Sequence, residues 1–249
     1  GLKVAFIGKV GDDYFGHYML NAMQDYQMDL SGVIVNPKIK TGISVILNNV
    51  SDRAILTYLG SISDLRFEEI NKEIIRSSRH LHLGSYFLLD LLRPDVCKLF
   101  QYAKKEGLST SLDTNFDPLQ EWGKGLRDTF KHTDLFFPNE REVKSIAGID
   151  DLFQAVQRMS SEIPCLAVKL GPEGAIGTFK GEKARSPSLK LKVEDTIGAG
   201  DSFDAGFVFG YLNGWNLDKC LRAACICGSL STRAVGGTKS QATKTELME

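Results

Sequence analysis

Apolar and polar positions alternate along the chain in a way that sorts it into short strands and amphipathic helices in regular succession. The apolar run at 3–7, bounded by Gly8 and Gly11, is that of a strand covered on both faces. Phe15, Met19, Met23 and Tyr26 recur at helical spacing and 33–35 returns to a strand run, so the chain opens with a βαβ unit. Ile43, Val45 and Leu47 alternate, 48–52 is turn-rich and 55–59 resumes a strand-like run, which predicts a β-hairpin over 41–59. A helix through Phe67, Ile70, Ile74 and Ile75 leads to a strand at 80–84. A helix through Val96, Leu99, Phe100 and Ala103, closed by Gly107, leads to one at 108–112. A strand at 135–137, a helix through Leu152, Val156 and Met159, a strand at 165–170 and a long last helix through Leu217, Cys220, Leu221 and Ala224 complete the series. Such alternation predicts one predominantly parallel sheet covered by helices.

One stretch adds chemistry to this pattern. Leu189, Leu191 and Val193 alternate like a strand, Gly198 and Gly200 follow, and Phe203, Phe207, Val208, Tyr211 and Leu212 then recur at helical spacing. The prediction is a strand, a glycine turn and a buried helix. Amides in the first turn of a helix lack intrahelical partners and carry the positive end of the dipole, so this turn is suited to an anion. Asp201 lies in it. It reads either as a base accepting a proton from an attacking hydroxyl or as a cap of its helix.

Composition narrows the partners. The net charge is −1 with no long run of one sign, which points away from nucleic acid and from anionic membrane surfaces. No apolar run reaches membrane-spanning length and no signal-peptide order is present, so a cytoplasmic location is expected. The five cysteines lack paired metal-site spacing and read as reduced core residues. His80 and His82 share a strand face, and with only two other histidines they read as partly buried structural residues.

Further motifs follow strands. Gly8-Lys9-Val10-Gly11 lacks the G-x-G-x-x-G spacing of a dinucleotide loop, and no Walker A sequence occurs, which leaves a dehydrogenase a poor reading. Asp113-Thr114-Asn115-Phe116-Asp117 follows the carboxyl end of a strand, where open α/β sheets hold ligands. Asn139 with Glu142 three residues on reads as a capping box or as a carboxylate poised for a metal. Gly171-Pro172-Glu173-Gly174 reads as a hairpin turn.

Asp195-Thr196-Ile197-Gly198-Ala199-Gly200-Asp201-Ser202-Phe203 resembles, at every fixed position, the second signature of the ribokinase or PfkB family of carbohydrate and nucleoside kinases. Gly8 to Gly16 is similar to the first signature, and the segments at 113–117, 139–142 and 170–174 are similar to further family motifs. The resemblance implies a ribokinase-like three-layer α/β fold with a predominantly parallel central sheet and a small, incomplete β lid associated with the 41–59 hairpin, in a single kinase domain over 1–249. It implies transfer of the γ-phosphoryl group of ATP to a sugar hydroxyl, most often a primary one, with Mg²⁺. Asp201 would be the base, with the amides of Gly198, Ala199, Gly200 and Asp201 around the transferring group. Glu142 would organise Mg²⁺. Lys169, Gly171, Gly174, Thr196 and Gly228 would lie toward the nucleotide, and Asp113, Asn115 and Asn139 toward the substrate. Small residues at 223, 224, 228 and 229, with the Gly236-Gly237 loop, would border the adenine. The lid often pairs in this family, which leaves a homodimer open without fixing the oligomeric state.

Two departures stand against the family pattern. Asp117 occupies the place of an arginine, so a cation near the substrate is missing. The family's leading residues, with a first strand, lid strands and a sugar-binding Asp, have no counterpart before Lys3, which predicts an exposed sheet edge and association of the chain. A catalytically weak nucleotide-binding or regulatory relative, or a nucleoside kinase, is the alternative.

Overall fold

Period-two alternation within the strands decides the layering. The computed structural model describes residues 1–48, 53–123 and 125–248. The chain opens with β1 (Ala5–Gly11), α1 (Tyr14–Gln24) and β2 (Asp29–Asn36), with β1 and β2 paired in parallel. An antiparallel hairpin of β3 (Ile43–Asn48) and β4 (Arg53–Tyr58) follows; the turn expected at its tip, 49–52, lies outside the described residues. The body is then α2 (Lys72–Arg76), β5 (His80–Leu83), α3 (Val96–Lys105), β6 (Ser109–Leu112), α4 (Leu126–Phe130), β7 (Leu135–Phe136), α5 (Glu140–Ala147), α6 (Leu152–Ser160), β8 (Cys165–Lys169), β9 (Ala175–Phe179) and β10 (Glu182–Ser186). α7 (Ala199–Leu212), α8 (Leu217–Ser231) and α9 (Lys244–Met248) end the chain.

β5 to β10 form one sheet in the order β10-β9-β8-β7-β6-β5, parallel from β5 through β8 and antiparallel from β8 to β10. Leu83, Leu112, Phe136, Leu166 and Val168 face one way, into a core closed by Val96, Phe100, Leu126, Phe130, Val143 and Met159. Their sequence neighbours Leu135, Phe137, Cys165 and Ala167 face the other way, against Phe203, Phe207, Leu217, Leu221 and Ala224 of α7 and α8. The result is helix on sheet on helix, with apolar burial on both faces as the driving term. Gly206 brings α7 and α8 together: a Cβ there would meet Ala223 O at 2.8 Å and Cys227 Sγ at 2.9 Å.

The structure corrects several expectations. No strand forms at 189–193; Leu189 N donates to Ser229 Oγ and Glu194 N to Thr232 O, so the end of α8 takes up backbone groups that a neighbouring strand would have paired. β1 runs on through Gly11, placing Gly8 and Lys9 inside the strand. β9 and β10 were not legible as strands, because Ala175–Phe179 and Glu182–Ser186 mix small, charged and apolar residues without clean alternation. The sheet is also not continuous: β1 and β2 pair only with each other, although Ile7 and Ile34 pack against the larger core and Lys9 is ion-paired to Asp64 (2.8 Å) and Glu69 (2.6 Å). Apolar side chains stand exposed on α1 (Tyr14, Phe15, Tyr18) and on the hairpin (Val45, Leu47, Leu56, Tyr58).

Candidate active site

The parallel strands end in line, and their carboxyl ends carry Asp113 after β6, Asn139 after β7 and Lys169 at the end of β8. Alternation turns Lys169 to the same face as Cys165 and Ala167, toward α7. There its Nζ lies 2.7 Å from Asp113 Oδ2 and 3.3 Å from Asp204 Oδ1. Burial opposes the ammonium's charge, but Asp204, Asp113 and Glu142 more than offset it and hold the group charged, above the usual lysine range. For Asp113 too, burial is outweighed, by Lys169, Asp204 and the Asn115 N–H at 2.8 Å, and its carboxyl lies below the usual range. Asp204 is driven well above it by burial, with Asp113 and Asp201 adding to the effect and Lys169 opposing.

α7 starts over this cluster. Its N-cap is Gly198 at φ 73°, a left-handed conformation natural to glycine, and no side chain caps the helix. Ala199 N donates to Thr196 O (3.3 Å) and Ser202 N to Gly198 O (2.9 Å), so the amides of Gly200 and Asp201 are those left without a side-chain cap at the dipole's positive end. Asp201 therefore does not cap α7, which removes that reading of it. Its carboxyl is reached by solvent, and enclosure by protein together with the Asp113 carboxylate raises its pKa, against the pull of Lys169. The turn is held from behind by Asp195, whose Oδ1 accepts Ile197 N and Oδ2 accepts Gly236 N, both at 3.0 Å. Sequence reasoning gave Asp195 no role of its own, and its fixed place at the head of the signature was the available signal. Gly198 and Gly237 then pack so closely that a Cβ on Gly198 would meet Gly237 O at 3.1 Å.

Glu142 is both cap and buried acid. Asn139 N (2.9 Å) and Asn139 Nδ2 (2.7 Å) donate to its two oxygens, and Asn139 Oδ1 accepts Glu142 N (2.9 Å), closing the capping box of α5. Burial pushes the Glu142 carboxyl up to about 7, Asp113 adding to the effect while Lys169 and Asn139 oppose it. The Asn139 side chain is thereby turned to Glu142.

Other sequence-predicted residues are distributed unevenly. Asn115, exposed and left-handed at φ 57°, stands at the mouth beside Ser85. Asp117 is buried and turned inward, accepting Leu119 N (2.9 Å) and Trp122 N (2.7 Å), so it organises the loop and does not face the site as an arginine in its place was expected to. Arg141, unremarked in the sequence, lies over the Phe116 ring at 4.8 Å and puts a cation near this loop. Gly171 (φ 57°) and Gly174 (φ 89°) shape the turn between β8 and β9, and a Cβ on Gly174 would strike Ser186 O at 2.0 Å. Thr196 is exposed beside the α7 turn. Gly228 is buried against α7, where a Cβ would meet Ala199 O at 3.1 Å; with Ala223 and Ala224 also buried, these small residues seat α7 on α8 and offer no open face for a flat ring. Lys169, expected near the nucleotide, is buried in its ion pairs. His80 and His82 bridge Ser109 and Ser111 at 2.7 Å, and burial lowers each to about 4. No group of metal-ligating side chains of three or more occurs among the described residues.

Residues 1–244 match the family model described as pfkB family carbohydrate kinase. The chain belongs to this family. An uncharacterized sugar kinase of Archaeoglobus fulgidus is 30% identical over 226 residues, covering 89% of this chain and 88% of that protein. A fructokinase of Solanum tuberosum is 27% identical over 262 residues, covering 100% of this chain and 80% of its own length. A crystal structure of a putative ribokinase II from E. coli in complex with ATP and Mg²⁺ superposes with a TM-score of 0.91 at 23% identity, covering 100% of this chain and 82% of that one, and so shares the ribokinase-like fold. This PfkB chain is an ATP-dependent sugar kinase. No helix among the described residues is long and apolar enough to cross a membrane.

Proposed function

We propose that this PfkB kinase transfers the γ-phosphoryl group of ATP to a primary hydroxyl of a small sugar, with Asp201 as general base. The observation that carries the assignment is an open carboxylate in the first turn of a helix that no side chain caps. The Gly200 and Asp201 amides and the dipole of α7 stabilise charge on the transferring group, and Gly198 lets the chain enter the helix without a Cβ in the way. Asp201 accepts the proton of the attacking hydroxyl, and its raised pKa makes it a better acceptor than an unperturbed carboxylate. Phosphoryl transfer needs mainly positioning and electrostatic stabilisation, which these groups supply.

The residues present fit a magnesium ion. Glu142 is a buried carboxylate whose oxygens each accept one hydrogen bond and keep further lone-pair capacity, and a hard cation that retains waters and takes substrate phosphates needs few protein ligands. Bound magnesium neutralises phosphate charge. Thr196 and the turn of Gly171 and Gly174 form the nucleotide side, Asn115 and Arg141 the substrate side, and Asp113, Asn139 and Gly228 support from behind. We assign the chain to one kinase domain in the cytoplasm, supported by five free cysteines of which four are buried. One face of the hairpin, with Val45, Leu47, Leu56 and Tyr58 all more than half exposed, supports pairing of two copies.

Sugar-dependent ADP release measured over a panel of ketohexoses, pentoses, sugar acids and nucleosides tests the assignment. Release with one of the sugars is the expected result. ATP binding without turnover on any member would overturn it in favour of a regulatory relative, and turnover confined to nucleosides would move the substrate class.

A further inference from the structure

Lys169 is the one cation at the centre of the strand-end cluster, and its surroundings are unlike those of a phosphate ligand. Its side chain is 14% exposed, and two of its three donors go to Asp113 and Asp204, which are 11% and 3% exposed. It nevertheless lies directly below the anion-holding turn, for a Cβ on Gly200 would come within 3.5 Å of its Nζ. Of the two carboxyls, Asp113 accepts from Lys169 and from Asn115 N, as an ionised group does. Asp204 Oδ2 is buried and receives no hydrogen, the condition of an oxygen that itself bears a proton and can offer it to Asp113. One ammonium, one carboxylate and one neutral acid leave the trio without net charge under α7.

We propose that Lys169 is the positioning residue of the catalytic base: clamped by Asp113 and Asp204, it is the fixed countercharge of Asp201 and makes no contact with the nucleotide. The inference rests on Asp201 being the base. The charged groups that act on Asp201 are Asp113 after β6, Lys169 on β8 and Asp204 on α7 itself, while His82 on β5 and Glu142 on α5 act on Asp113 and Lys169. His82 is neutral above about pH 4, so Lys169 is the only cation among them near neutrality. Asp201 is pulled up by enclosure and by Asp113 and down by Lys169. Removing the ammonium therefore leaves the base protonated to a higher pH.

The test reads Asp201 ionisation in the resting protein and kcat in turnover. Carboxyl-¹³C aspartate NMR, with the Asp201 signal assigned by Asp201→Asn, follows the titration without substrate. In Lys169→Met the Asp201 midpoint moves up by about one pH unit or more, the acid limb of kcat moves with it, and kcat on that limb falls about ten-fold and recovers at higher pH. The KM for ATP stays within about two-fold. In Asp204→Asn, a neutral isostere, the Asp201 midpoint stays in place, and this variant keeps the inference testable if Lys169→Met does not fold. A ten-fold rise in the KM for ATP with an unmoved acid limb would make Lys169 a phosphate ligand and overturn the proposal. A fall of the Asp201 midpoint in Asp204→Asn would overturn the neutral acid. Lack of sugar turnover by the wild type would refute the functional reading alone, because the NMR titration still reads the countercharge.

Discussion

Replacing Glu142 by Gln separates the charge of this residue from its hydrogen bonds. Gln at the third helical position can still accept the Asn139 N–H but sets its own NH2 against Asn139 Nδ2, a bond that the protonated acid loses in the same way, so Gln stands in for the neutral form of Glu142. What disappears is an acid whose pKa burial has raised from 4.5 to about 7. Because the folded value lies above the unfolded one, the carboxylate is a burden on the fold wherever it is ionised: stability is full below about pH 4.5 and is lost as the pH rises through about 7. At about 1.36 kcal/mol per unit, the difference sets an upper bound of about 3 kcal/mol on that loss, reached above about pH 8. The two proteins should then melt together at about pH 5, and Glu142→Gln should melt higher by several degrees at about pH 8, since about 1 kcal/mol corresponds to roughly 2–4 °C in a chain of this size. Calorimetric or urea melts across this range, with magnesium omitted and then added, provide the assay. Magnesium should raise the wild-type melting temperature above neutrality and act less on the variant, and in turnover Glu142→Gln should need more Mg²⁺ for half-maximal rate with a smaller change in the KM for ATP. Parallel stability profiles at all pH values, together with an unchanged Mg²⁺ requirement, would refute the argument and leave Glu142 as a capping residue alone.

Three further outcomes are expected. Asp201→Asn should lower kcat by about two to four orders of magnitude, or about 3–5 kcal/mol of transition-state stabilisation, while ATP binding measured by calorimetry persists; near-normal kcat would end its assignment as base. Gly206→Ala should destabilise the protein by about 1–3 kcal/mol, read as a lower midpoint in urea, because its Cβ would meet Ala223 O at 2.8 Å and Cys227 Sγ at 2.9 Å across the α7–α8 interface; an unchanged midpoint would mean the helices separate at no cost. Leu56→Lys, on the exposed hairpin face opposite Val45, should shift light-scattering mass toward the monomer, and a wild-type chain already monomeric at high concentration would remove the pairing proposal.

How much of this was legible in the sequence depended on whether the signal was local. Helices α3, α6, α7 and α8 and the parallel strands β5 to β8 follow from periodicity, because one buried face imposes its spacing on the residues that form it. The glycine turn and Asp201 followed from a contiguous signature, although Asp195 within it also reaches Gly236, 41 positions on. The capping box of Asn139 and Glu142 was equally local. The strand expected at 189–193 failed for the opposite reason: its alternation was present, but α8 supplied the hydrogen-bond partners, and a partner's identity is not written in the alternating segment.

Lys169, Asp113 and Asp204 are far apart in the chain, separated by 56 and 35 positions, and only the sheet brings them together. Strand period fixed the face on which Lys169 lies. The packing of α7 against that face decided that its charge would be enclosed by two carboxyls and largely kept from solvent. In the same way, Asp117 kept its identity as a substitution in the motif but lost its expected place, since two amides of its own loop turn it inward. The sequence by itself determined the elements, the family and the residues able to carry the chemistry, because each is encoded in spacing along one segment. Which charge faces which, and therefore which group stays ionised, was decided only by the tertiary structure, since electrostatic interaction depends on separation in space and on burial rather than on order along the chain.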